Sequence, residues 1–429
     1  MEHMNKSLAT ASSQAEGVCA NYAVDRLSNV PREVANHILA FLGFKDLIRL
    51  GAVSKMGRVF SLSAPSLKFS DQRANRQKQY NLLNSIDRYM IHRGDDKIKH
   101  FCVDWRFSAG VSEEGFRMMS WILIAVRCNV EVLELRLFVP ELNKLEPDGT
   151  VLELPSCVYC CESLRSLSID TQTILKAPSG TCSNNLQYLK LTHVRMDDDF
   201  GKWISRSCKC IKELLLFEVE VGSFTVDSPS LESFIFDYKH YNRPCHLSIS
   251  GEKLTTIRIE WGFYNTISDT TRSLNVFAPN LKYLKWIGSL LNSQNLGKFL
   301  CLEKAQIFLK HKGDDYDFEN AYEVLRSLCS VKILLREVLV HAQLDEVTYL
   351  SMHIMSLSDD LVPAMISLLK GMPNLSTLYL KSYPSLQMDK PKACGFKSKY
   401  WKSHNLDCVH QLQDVSIALS TGYVNNALE

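Results

Sequence analysis

The sequence predicts an α/β solenoid: a short block of packed helices, then a long run of stacked repeats whose strands form a curved parallel sheet. Three observations carry this prediction. An apolar-x-x-apolar-x-apolar unit recurs along most of the chain at near-constant spacing. Proline stands just before several of these units. Ahead of them lies one segment with helical rather than strand periodicity.

The helical block comes first. Residues 1–22 are polar, small and unpatterned, as in a flexible tail. Residues 23–69 read as packed helices. Pro31 suits a first helical turn, where its missing N–H would be unpaired in any case. Val34, Ile38, Leu39 and Leu42 recur at helical spacing. Gly43 is expected to end that helix in a left-handed conformation, and Asp46 to cap a second helix carrying Leu47, Ile48 and Leu50. A third helix is expected over residues 55–62, with Pro65 closing the block. Residues 70–100 follow as a helical linker. Leu82, Leu83, Ile86 and Met90 form its apolar side, and Arg73, Arg76, Lys78, Arg88 and Arg93 a solvated basic side.

The repeat unit occupies residues 101–390. It is legible at Val130-Leu133-Leu135, Leu164-Leu167-Ile169, Leu186-Leu189-Leu191, Ile211-Leu214-Leu216, Leu231-Phe234-Phe236, Leu254-Ile257-Ile259, Leu281-Leu284-Trp286, Val347-Leu350-Met352 and Leu375-Leu378-Leu380. Leu302-Ala305-Ile307 and Val331-Leu334 are weaker members. The middle residues from Leu167 to Leu284 are 22, 25, 20, 23 and 27 apart, within the range of about 20–29 typical of leucine-rich repeats. One short strand cannot bury its apolar side alone, whereas stacked repeats build a continuous core. Pro229, Pro279 and Pro373 each precede a strand, where no ladder N–H is needed. The asparagine expected after the core positions is replaced by Gln172, Val194 and Val219, so the turns are irregular. A doubly wound sheet would also alternate strands and helices, but no glycine-rich phosphate loop supports it.

Between the inward positions, side chains alternate to the concave face. Tyr188, Lys190, Leu215, Phe217, Ile235, Asp237, Arg258, Glu260, Tyr283 and Lys285 are the candidate contacts for a protein partner. Leu215, Phe217 and Ile235 would be its apolar centre.

Composition excludes other classes. Among 429 residues the formal net charge is only +2, so no nucleic-acid partner is expected. No apolar run is long enough for a membrane span. An intracellular protein, nuclear and/or cytoplasmic, is expected, and its 14 cysteines read as small buried hydrophobes rather than disulfides. Cys157-x-x-Cys160-Cys161 has half the spacing of a zinc site but no second pair follows. Cys408 with His410 and His404 forms no convincing nucleophile and base. Asp197–Asp199 and Asp314, Asp315 and Asp317 lack the glycine and glutamate of a calcium loop. No catalytic residue, metal or cofactor is expected.

Val30-Pro31-x-Glu33, Ile38-Leu39, Leu42, Asp46-Leu47 and Val53-Ser54 resemble the F-box motif. Ala64-Pro65-Ser66-Leu67-Lys68-Phe69 is similar to the segment that closes this motif in plant members. Trp121-Ile122, Ala125, Arg127, Val130 and Leu133 resemble the entry to their repeats. Within residues 391–429, Tyr400-Trp401, Cys408, Leu412 and Val415 resemble the start of an FBD domain. The resemblance implies a three-helix unit that docks on the SCF adaptor and, through it, on a cullin. The contacts implied are Val30, Pro31, Glu33, Ile38, Leu39, Leu42, Leu47 and Val53. It further implies a non-catalytic receptor whose repeats hold a target protein for ubiquitination. The alternative is a binding scaffold with a degenerate F-box. Gly57 stands where many plant members carry tryptophan. On that basis Gly57→Trp is expected to strengthen adaptor binding by about 1–2 kcal/mol.

Overall fold

The computed structural model describes residues 30–71, 76–107, 112–138, 154–172, 174–178, 185–238, 245–261, 272–289, 293–297, 299, 301–310, 348–354, 366, 369–382 and 410–418. The chain divides into two compact units, one ending at Ala64 and one beginning at Pro65.

The first unit holds three helices: α1 (Arg32–Ala40), α2 (Phe44–Val53) and α3 (Lys55–Leu62). Two capping expectations are corrected. Gly43 is not left-handed: it is extended, with φ −69° and ψ 160°, and is itself the N-cap of α2. Its carbonyl accepts from the Asp46 and Leu47 amides at 2.9 and 3.0 Å, while α1 is closed by the Phe41 and Leu42 amides, which donate to the Ile38 and Leu39 carbonyls respectively. Asp46 instead lies within the first turn and pairs with Arg49 at 3.1 Å, where its charge suits the helix dipole. Ser54 alone separates α2 from α3. Its extended backbone breaks the helix, and its hydroxyl accepts from the Gly57 amide at 2.8 Å.

The α2–α3 contact is made by small residues. The Ser61 hydroxyl donates to the Leu47 carbonyl at 2.7 Å. A Cβ placed on Gly57 would lie 2.4 Å from the Leu50 carbonyl oxygen. Glycine at this position is what lets the two backbones meet.

The second unit is built on strands. In chain order its elements are β1 (Ser66–Ser70), α4 (Arg76–His92), β2 (His100–Arg106), α5 (Ser112–Arg127), β3 (Val132–Phe138), α6 (Ser156–Tyr159), β4 (Ser166–Thr171), β5 (Ile174–Leu175), β6 (Tyr188–Thr192), β7 (Arg195–Met196), α7 (Phe200–Ser207), β8 (Glu213–Phe217), β9 (Ser223–Asp227), β10 (Ser233–Tyr238), β11 (Cys245–Ser250), β12 (Thr256–Trp261), β13 (Arg272–Phe277), β14 (Tyr283–Ser289), β15 (Ser293–Asn295), β16 (Lys304–Lys310), β17 (Tyr349–Ile354), β18 (Thr377–Ser382) and β19 (Asp414–Ala418). Thirteen strands form one sheet in the order β1-β2-β3-β4-β6-β8-β10-β12-β14-β16-β17-β18-β19. Every adjacent pair is parallel. A second parallel sheet runs β15-β13-β11-β9.

The registers explain the recurring sequence unit. Leu133, Leu167, Leu189, Leu214, Phe234, Ile257 and Leu284 stand in one row, each opposite the next. Leu135, Ile169, Leu191, Leu216, Phe236, Ile259 and Trp286 form the next inward row, and both rows are buried. The leading residue of each unit, such as Val130, Leu164, Leu186 or Ile211, is buried just before its strand. The sheet begins within the segment read as the end of the helical block and reaches into the C-terminal segment through β19. Val331-Leu334 and Val347 lie outside the described residues.

Helices and the second sheet supply the other side of the core. Phe69, Trp105 and Trp121 meet edge to face, with centroids 5.7 and 6.1 Å apart. Asp87 on α4 binds α5 twice: it accepts from the Trp121 indole at 2.7 Å and from Arg117 at 3.0 Å. Arg93 departs from the solvated face expected of it. It is buried, and it donates to the carbonyls of Asp96 and Lys97. The chain turns at left-handed Gly94, so these carbonyls fold back over the end of α4.

Most described cysteines are free, but Cys160 is disulfide-bonded. This corrects the expectation for that residue, whose exposed position at the end of α6 leaves its thiol outside the core. Burial pushes the Cys208 and Cys245 thiols up to about 12. At mildly alkaline pH each would hold roughly a thousandfold less thiolate than an ordinary thiol. Iodoacetamide at pH 8 should therefore label exposed Cys210 and leave Cys208, two residues away, intact. Equal labelling by peptide mass spectrometry would mean that this part of the core is open.

Candidate functional site

Two surfaces concentrate the predicted residues, one in each unit. On the helical unit, Leu39 and Leu47 are 3% and 0% exposed. They hold the unit together from inside. Pro31 and Glu33 are exposed, and Val30 and Leu42 are half-buried. The apolar groups reaching solvent are Val34, Ile38, Phe41, Ile48, Val53, Met56 and Val59. Val53 is 81% and Phe41 78% exposed. Isolated exposed apolar residues are ordinary, and here seven fall among the described residues of this three-helix unit. Phe41, Met56 and Val59 were not singled out in the sequence. Phe41 is signalled only by standing beyond the last turn of α1, where its side chain has no inner row to join.

On the sheet, the outward side chains fall into three rows. The central row runs Lys190, Leu215, Ile235, Arg258, Lys285 and Gln306 across β6 to β16. Tyr188, Glu213, Ser233, Thr256, Tyr283 and Lys304 lie to one side of it, and Thr192, Phe217, Asp237 and Glu260 to the other. All ten sequence-predicted contacts stand on these rows, and all are half-buried. Leu215 and Ile235 are direct partners across the β8–β10 ladder, and Phe217 is opposite Asp237.

The charges on this face are mostly matched. Arg136 meets Glu134 at 3.0 Å. His193 lies between Asp170 and Glu218 at 2.8 and 3.2 Å. Glu260 accepts from both Arg258, at 2.6 Å, and Lys285, at 2.8 Å. Burial alone would raise the Glu260 carboxyl. The bonds from Lys285 and Arg258 outweigh it and hold the group below the usual carboxylate range. Lys190 packs instead over the Phe217 ring at 5.4 Å. Lys304 sits between the rings of Tyr283 and Tyr349, at 5.6 and 4.2 Å. Lys304 and Tyr349 were not among the predicted contacts. The pattern could have given Lys304, since it precedes Ala305 in a repeat whose apolar positions are the weakest.

Among the described residues no group of three or more His, Cys, Asp or Glu is arranged to hold a metal. Among the same residues no helix is long and apolar enough to cross a membrane.

Residues 27–56 match the F-box domain, a span that ends on the first turn of α3. The longer chain is similar to proteins of Arabidopsis thaliana. One is an F-box/LRR-repeat protein, 27% identical over 213 residues, 48% of this chain and 65% of that protein. Another is a putative F-box/FBD/LRR-repeat protein, 23% identical over 330 residues, 71% of this chain and 61% of that protein. A third, also an F-box/LRR-repeat protein, is 23% identical over 417 residues, 86% of this chain and 71% of that protein. The chain spans less than two thirds of the first two relatives.

Proposed function

We propose that this chain, which carries an F-box domain and is related to plant F-box/LRR-repeat proteins, is the substrate-recognition subunit of an SCF-type ubiquitin ligase. The observation that carries this reading is the F-box match on α1, α2 and the start of α3. These helices leave Ile38, Phe41, Val53 and Val59 exposed. Val30, Pro31, Glu33, Ile38, Leu42 and Val53 would contact the SCF adaptor and so reach the cullin. Leu39 and Leu47 would hold the helices behind that surface. The thirteen-stranded sheet would be a leucine-rich-repeat solenoid, with Tyr188, Leu215, Phe217, Ile235, Asp237 and Tyr283 among its contacts to a target protein. The role involves no chemistry of its own: holding the target near the transferring enzyme raises the local concentration of acceptor lysines.

Ile38→Asp together with Val53→Asp puts two charges on the docking surface without touching the interior of the unit. Capture of the adaptor from solution should fall by at least about tenfold, while hydrogen-exchange protection of α1–α3 is retained. If the unaltered protein does not capture the adaptor at micromolar concentration, the ligase role fails and a scaffold with a degenerate F-box replaces it.

A further inference from the structure

We propose that the outward face between β6 and β16 binds an extended protein segment that carries a carboxylate at each end and an apolar pair between them. The inference rests on the reading of this face as the target site, and it adds the chemistry of the target.

The starting point is an imbalance of charge. Arg136, Arg258 and Lys285 each meet a carboxylate on this face. Lys190 and Lys304 meet none among the described residues. Each is held only by aromatic rings. A ring orients an ammonium but leaves its charge uncompensated, so each remains available to an incoming anion.

Their positions set the length of the partner. β6 and β16 are five steps apart in the sheet order. At about 4.8 Å per step this is about 24 Å. An extended chain rises about 3.3 Å per residue, so about seven residues separate the two carboxylates. Between the lysines lie Leu215 and Ile235, in direct register on the same row as Lys190. They stand one and two strands from Lys190, and Arg258 and Lys285, both already matched by Glu260, fill the two strands before Lys304. The complementary order is therefore acid, an apolar pair close to it, and a second acid farther on.

A polyanion fits less well. Glu213 stands on the same face, in the edge row of Tyr188 and Lys304, and closely spaced phosphates would be repelled by it. Two carboxylates, one at each lysine, face less of that repulsion.

The test uses fluorescence anisotropy with the full chain and labelled peptides. The probe has glutamates about seven residues apart with a Leu-Ile pair nearer one of them. A glutamine-flanked peptide, a peptide with serines in place of the Leu-Ile pair and a single-stranded oligonucleotide are compared with it. The glutamate probe should bind, weaken with salt, and exceed both control peptides by about tenfold. Lys190→Gln and Lys304→Gln should each lower its affinity by about tenfold, whereas Lys68→Gln, on β1 outside the segment, should change it less than twofold. Unchanged thermal unfolding of the variants separates a lost contact from a lost fold. Absent binding, equal binding of the glutamine-flanked peptide, insensitivity to both lysine substitutions, or tighter binding of the oligonucleotide would each overturn the proposal. Adaptor capture is measured on the same preparations. Peptide binding without adaptor capture would sink the ligase role alone, and capture without peptide binding would sink this inference alone.

Discussion

Gly57→Trp should unfold the helical unit rather than strengthen its docking. A Cβ at residue 57 would come within 2.4 Å of the Leu50 carbonyl oxygen, a backbone atom that cannot rotate away. The indole would have to push α2 and α3 apart, breaking the bond from the Ser61 hydroxyl to the Leu47 carbonyl. Overpacking costs about 1–3 kcal/mol and a buried hydrogen bond about 1 more. The sum, about 2–4 kcal/mol, is a large part of what so small a unit can hold in reserve. Even Gly57→Ala should cost about 2 kcal/mol, although alanine is favoured over glycine in a free helix by about 1 kcal/mol. Hydrogen exchange of the full chain is the direct measure: peptides from residues 30–64 should lose protection while those from β6 to β14 keep theirs. Retained protection with tighter adaptor capture would restore the view that residue 57 lacks an aromatic anchor.

The second large effect lies in the sheet. Trp286 is fully buried on β14, opposite Ile259 and Ile307. Trp286→Ala should cost about 3–5 kcal/mol, through lost burial and the cavity left behind. Lys285→Ala, one residue earlier, points to the other side and leaves Arg258 on Glu260. Its cost should stay at about 1 kcal/mol, because Glu260 keeps the bond from Arg258. The midpoint of urea unfolding, followed by intrinsic fluorescence, compares the two. Similar shifts would contradict the alternation of the strand.

The sheet was legible because its physics is periodic. A two-residue alternation inside a repeat of slightly varying length fixes which side chains face in. Leu167, Leu189 and Leu214 therefore fall in one row on the sequence pattern alone. The ten outward candidates were legible for the same reason. What they touch was not. That Lys285 joins Arg258 on Glu260, or that Lys304 lies between two tyrosine rings, depends on side chains more than 20 positions apart in sequence. The helical unit was harder. Leu39 and Leu47 fit the family motif and the apolar periodicity alike, and neither tells an inner contact from an outer one. Gly57 misled because a glycine that permits close approach and one that merely replaces an aromatic look identical in a single sequence. The buried Arg93 failed the expectation attached to basic residues, since the carbonyls of Asp96 and Lys97 that it meets are backbone groups that no side-chain pattern records.

Along the thirteen strands, alternate residues answer to different demands. Leu214 and Leu216 are bound by the volume of the interior, while Leu215 and Phe217 beside them are bound only by what lies outside. Selection can therefore act on one set of codons without disturbing the other. A lineage carrying such a sheet can exchange the surface it offers, strand by strand, and pay little in folding. Duplicated copies would be expected to diverge fastest at every second position of each strand, while the rows between them drift only among side chains of similar size.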